Sequence, residues 1–129
     1  VAERAPARHE VPDIDAAALV AARAVDALFA NGRRSVAESG QATDEGLRSI
    51  DAARHAAAVE RWLVYFERVS DQLRDDPVTQ LRGVARRVRA AYGPKDSIRD
   101  AFAPDVTEPL LDAIDRLLKA IARYEAHLA

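Results

Sequence analysis

The chain has no cysteine and no methionine, three histidines, five glycines and six prolines among 129 residues. Each scarcity excludes something. Without cysteine there is no disulfide, no thiolate metal site and no cysteine nucleophile, and the redox compartment stays undetermined. The glycines never fall in a phosphate-binding pattern, and no Gly-x-Ser-x-Gly elbow occurs. No apolar run approaches the ~18 residues needed to span a bilayer, and no secretory signal segment is recognisable. The cytoplasm is therefore the default expectation, although the chain begins at Val1, which leaves N-terminal processing open. No Glu-x-x-His pair is present, which argues against a di-iron carboxylate bundle.

What is there favours helix. Hydrophobic residues make up 49% and charged residues 31%, the balance of a soluble folded chain rather than of a disordered or membrane-embedded one. A chain of this length fits one domain and can bury a real core. The net charge of −2 speaks against a protein whose main task is to coat nucleic acid or anionic membrane.

Helical spacing marks five segments, at about 13–31, 44–75, 77–92, 97–103 and 107–128. Residues 1–12 read as an irregular arm and 13–129 as a single helical domain. The first segment carries Ile14, Ala18, Ala21, Val25 and Leu28 at spacings of four and three, and Asn31-Gly32 reads as its stop. The segment from Asp44 to Asp75 has no proline and no glycine after Gly46. Its row of His55, Val59, Trp62, Phe66, Val69 and Leu73 reads as the seam along which the other helices pack. Thr43 or Asp44 is its expected cap. The third segment keeps Val78, Leu81, Ala85, Val88 and Tyr92 on one side and stops at Gly93-Pro94. Ser97 and Asp100 have capping-box spacing, and Pro104 is expected to end that short helix. Thr107 is the expected cap of the last segment, whose row runs Leu110, Ile114, Leu117, Ile121, Tyr124, Leu128. Together these rows predict an all-α antiparallel four-helix bundle with one broken helix.

Three constellations are candidates for function. His55 lies one turn before Val59 with Asp51 four residues earlier, where it could act as a base with an orienting carboxylate; the plainer reading is a histidine at the bundle end, in water. Trp62, Tyr65 and Phe66 concentrate aromatic residues and, with His55, could wall a pocket between helices. Their helical spacing suits a core layer better. Arg82, Arg86, Arg87, Arg89, Lys95 and Arg99 form a basic stretch opposed by a single acidic residue, Asp96, and an acidic stretch from Asp100 to Asp115 follows. A basic helix, a turn and a short capped helix invite a nucleic-acid reading. Against it, the short helix offers base edges only Arg99 and Ser97 and carries Asp100, with Asp96 just before it, both of which phosphate repels.

The expectation is a small non-enzymatic interaction or assembly protein. It would act through helix–helix or charged-face contacts with a protein partner or a second copy in a homodimer, with no catalytic set, no metal and no cofactor. Nucleic-acid binding by the 77–92 helix and a small-molecule pocket near Trp62 are the alternatives, the first disfavoured on charge.

Overall fold

The computed structural model describes residues 5–41 and 46–128, with backbone alone at 40, 41 and 46–49. Five α-helices follow in order: α1 (Pro12–Gln41), α2 (Gly46–Tyr65), α3 (Val69–Asp75), α4 (Val78–Ala90) and α5 (Pro104–Leu128). Short 3-10 turns at Arg8–Glu10 and Ile98–Asp100 complete the chain, and there is no strand among the described residues. With α2 and α3 taken as one interrupted rod, this is an all-α helical bundle of four members. Thr43 and Asp44 lie outside the described residues.

The organising helix is α1 rather than the 44–75 segment. It packs against α2, α3 and α5, while α4 reaches α3 and α5. Its seam explains why: Ile14, Ala18, Ala21, Ala22, Val25 and Leu28 are all buried, and three small alanines in that row let neighbouring backbones come close. The expected stop at Asn31-Gly32 is not one, since α1 continues to Gln41. Gly32 instead marks a close approach. A Cβ there would lie 3.0 Å from Leu63 Cδ2, 3.1 Å from Phe102 Cε1 and 3.2 Å from Val59 Cγ1. Ser35 and Glu38, which fall between the expected segments 13–31 and 44–75, sit inside the helix.

The 44–75 segment is interrupted at 66–68 with no proline or glycine to cause it. At that point the Val69 N–H bonds to the Phe66 carbonyl at 3.0 Å, an i−3 partner, instead of continuing the i−4 ladder. The Tyr65 carbonyl freed in this way accepts from Arg87 Nη2 at 3.2 Å. In return the Tyr65 hydroxyl donates to the Arg87 carbonyl at 2.6 Å, one of the last four carbonyls of α4 and so without a partner inside its own helix. The bend is thus held by a reciprocal exchange with α4. Because the turn is tightened and not unwound, Val59, Phe66, Val69 and Leu73 stay on the buried side.

Two boundaries near the C-terminus also differ from expectation. The expected 97–103 helix is a single 3-10 turn, capped by the Ser97 hydroxyl, which accepts from the Arg99 N–H at 3.1 Å. Pro104 starts α5 rather than ending its predecessor, as suits a residue with no N–H at a first helical position. Thr107 is therefore inside the helix and buried, not its cap. Between α4 and α5, Asp96 takes a left-handed conformation at φ 51°, which aspartate tolerates better than most residues. Gly93, expected with Pro94 to mark the stop, has no positive φ.

Within the expected arm, Arg8 anchors the described residues to the bundle. Arg8 donates from Nε to Asp15 Oδ1 at 2.8 Å, from Nη1 to the Asp76 carbonyl at 2.9 Å and from Nη2 to the Leu73 carbonyl at 2.8 Å. Its side chain is 16% exposed, so one guanidinium closes the C-terminal end of α3, where the helix dipole favours a cation. Arg8→Ala is expected to cost about 2 kcal/mol in urea unfolding. Hydrogen exchange should quicken first at the α3 amides. Arg8→Lys should recover little of this, because a single ammonium cannot copy the fork.

Candidate functional site

The basic stretch of α4 and the following turn is the first candidate, and most of it is engaged within the chain. Arg82 pairs with Glu125 and Arg89 with Asp115, both carboxylates on α5. Arg99 makes a two-pronged bond to Glu108, from Nε to Oε2 at 3.1 Å and from Nη2 to Oε1 at 2.8 Å, and lies 5.2 Å over the Tyr92 ring. Arg87 stacks on Tyr65 at 5.0 Å while holding the α2–α3 bend. Arg86 and Lys95 are exposed and make no ion pair among the described residues. Two free cations release few counterions from a polyanion. No retardation of DNA or RNA is therefore expected even at low salt; a steeply salt-dependent shift would contradict this.

The aromatic candidates separate into different roles. Phe66 is fully buried; Trp62 and Tyr65 are half-buried, with the Trp62 and Tyr65 rings edge to face at 5.3 Å. Beside them a cleft of about 530 Å³ opens between α2 and the turn before α5, bordered by Arg61, Trp62, Tyr65, Asp96, Ser97 and Asp100. His55 lines a neighbouring cleft of about 490 Å³ together with Arg34, Glu38 and Asp100. The two depressions share Asp100 and Ala101. Arg61, Asp96, Asp100, Arg34, Glu38 and His55 are all exposed, so these are open, hydrated grooves. No hydrogen bond joins His55 to Asp51 among the described residues, and no group of acidic or histidine side chains there could hold a metal ion. No helix among the described residues is long and apolar enough to cross a membrane.

Two carboxyls are shifted by their partners. Arg74 on α3 holds Asp26 below the usual carboxylate value of 3.8, with Ser70 adding a second hydrogen bond at 2.7 Å. Glu108 is likewise held below 4.5, first by Arg99 and then by the Thr107 hydroxyl. Burial and the Glu108 charge push the Tyr92 phenol up. A carboxyl depressed in the folded chain contributes stability above its unfolded value, and that contribution is lost as pH falls through the folded value. The melting temperature should therefore decline as pH drops below about 4.5. Asp26→Asn should flatten a small part of that decline in melts between about pH 6 and pH 3, by the same small amount that it lowers stability at neutral pH, because the pair is exposed.

The feature that the seam rows did not mark is the outer face of α2. Ile50, Ala53, Ala57 and Val64 are exposed, flanked by exposed Arg54, Glu60 and Arg61. At 100° per residue these seven positions fall in one arc, opposite Val59 and Leu63. Their signal was the seven-residue spacing Ile50, Ala57, Val64, a second row on a helix already assigned a first. Since α2 packs mainly on α1, nothing among the described residues covers this face. Comparison with protein-family models, curated proteins and solved structures finds no match.

Proposed function

We propose that this chain is a small non-enzymatic interaction protein that engages another helical surface through the outer face of α2. The observation that carries this reading is the exposure of Ile50 (51%) and Val64 (66%) on one side of the same helix. A single exposed aliphatic residue needs no explanation. Two of them, one on either side of Ala57 on a face that charged residues flank, form a short apolar stripe of the kind that helix partners cover. The non-enzymatic part is supported by the exposure of all three histidines and by the engagement of most candidate arginines with carboxylates and rings in the same chain.

A photo-crosslinking amino acid placed at position 64 in cells should give an adduct of one discrete mass. The same group at Val20, exposed on α1, should give none. If position 64 yields only uncrosslinked chain, the reading is wrong.

A further inference from the structure

We infer that the contact between Tyr65 and Arg87 is a latch on a two-state joint. When it opens, α2 and α3 straighten into one continuous helix and the N-terminal half of α2 swings to a new direction.

One acceptor serves both states. In the bent form the Tyr65 carbonyl takes Arg87 Nη2 at 3.2 Å; in a continuous helix it takes the Val69 N–H, its i+4 donor. Straightening also moves the Glu67 N–H, now bonded to the Val64 carbonyl at 3.2 Å, to an i−4 acceptor. The Arg68 N–H, which has no protein acceptor among the described residues, gains the Val64 carbonyl. The backbone therefore favours the straight form. The bent form is held by what α4 adds: the guanidinium on the carbonyl, the Tyr65 hydroxyl on the Arg87 carbonyl at 2.6 Å, and the guanidinium over the ring at 5.0 Å. Arg87 is exposed and Tyr65 only half-buried, so water competes for each of these contacts.

Sequence and packing accommodate both forms. Residues 61–72 contain no glycine or proline. Val59, Phe66, Val69 and Leu73 follow at spacings of seven, three and four, so a straight helix keeps all four on one side. That side faces α1, which runs unbroken beside both α2 and α3. Val69 and Leu73 are buried, and Arg8 holds the Leu73 and Asp76 carbonyls, so α3 is the fixed arm. No residue from Ile50 to Ala58 is buried, so α2 is the arm that moves. Ile50 lies about 24 Å along the helix from Phe66, and a change of about 20° at the joint carries it about 8 Å. Tyr65 also lines the cleft of about 530 Å³ beside Trp62, which changes shape as α2 swings. The joint re-aims the outer face of α2 but works through residues 65–69 and Arg87, whether or not that face binds a partner.

The test is made in the full chain, spin-labelled through Arg54→Cys and Lys119→Cys. Both positions are exposed, and the chain has no other cysteine. With Tyr65 and Arg87 intact, electron–electron distance measurement should give one dominant separation. Arg87→Met keeps the apolar stem and removes the guanidinium. It should shift the bent-to-straight ratio about tenfold, adding a second separation that differs by up to about 6 Å. Amide exchange followed by NMR in the unlabelled chain gives the reading that a purely structural contact would not. In Arg87→Met the Arg68 N–H should exchange more slowly than in wild type, because the straight form bonds it; loosening of a fixed bend would leave Arg68 unchanged and quicken Val69. Tyr65→Phe, which removes only a hydroxyl, should move both readings the same way by less. A single unchanged separation in both variants overturns the joint, and so does Arg68 exchange that slows in neither. If circular dichroism shows that Arg87→Met has lost its helices, Tyr65→Phe decides by the same two readings.

Discussion

Phe66→Ala is expected to lower the unfolding free energy by about 3–5 kcal/mol, the usual range for deleting a buried aromatic ring. Phe66 has no solvent exposure and stands at the first position of the turn between α2 and α3. Its ring meets Tyr65 edge to face at 5.1 Å and Trp62 at 6.2 Å, contacts that add to its area of burial. The site is poorly able to collapse after truncation. Its backbone is held by the tightened hydrogen bond to Val69 and by the exchange between Tyr65 and Arg87, so the cavity would persist. Urea unfolding followed by the fluorescence of Trp62 reports stability and the local environment together. The variant should emit at longer wavelength in the folded state and melt about 10–20 °C lower. A loss under 1 kcal/mol would mean that the bend relaxes to fill the void. Phe66→Leu, which retains most of the volume, should lose much less.

The buried rows were legible because burial follows periodicity. Ile14 to Leu28, Val78 to Val88 and Leu110 to Ile121 sit inside, as do Val59, Phe66, Val69 and Leu73, while Trp62 in that row is half-buried and Leu128 at the end of the last is exposed; each row is set by the spacing of apolar residues along its own helix. What could not be read locally depends on residues distant in sequence. Gly32 carries the same mark whether a helix ends there or a neighbouring helix comes close. Only the positions of Val59, Leu63 and Phe102 decide between the two. The bend at 66–68 has no breaker residue, since its cause is a guanidinium from α4. Arg8 gives no signal in a segment without periodicity, yet it joins the N-terminal turn to the far end of α3. For the candidate faces, the run of like charges from Arg82 to Arg99 was visible. Which acidic partner each arginine would find depended on how α4 lies on α5. His55 continues the seam row by spacing but is exposed, because the stretch of α1 opposite it is lined by polar residues such as Arg34 and Glu38.

Gly32→Leu is expected to be the second most damaging substitution, at about 3 kcal/mol, and the accounting shows why alanine differs from leucine at this position. A glycine within a helix gives up about 1 kcal/mol of helix propensity relative to alanine. On an open surface Gly32→Ala would therefore be stabilising. Here the new Cβ would press on three side chains at 3.0–3.2 Å, and overpacking of a filled core costs about 1–3 kcal/mol. The two effects nearly cancel or leave a modest loss for alanine. Leucine gains no more propensity and adds three further carbons where Val59 and Phe102, both buried, leave no room. Either α2 moves off α1 or the Phe102 turn is displaced. A double-mutant cycle separates close packing from a general intolerance of the helix: Val59→Ala removes one of the three opposing groups and alone should cost about 2 kcal/mol. Combined with Gly32→Leu, the total should fall short of the sum by at least about 1 kcal/mol, because the cavity receives part of the inserted side chain. Additive losses in urea unfolding would show that Gly32 and Val59 do not share this contact, and that α2 is held to α1 elsewhere.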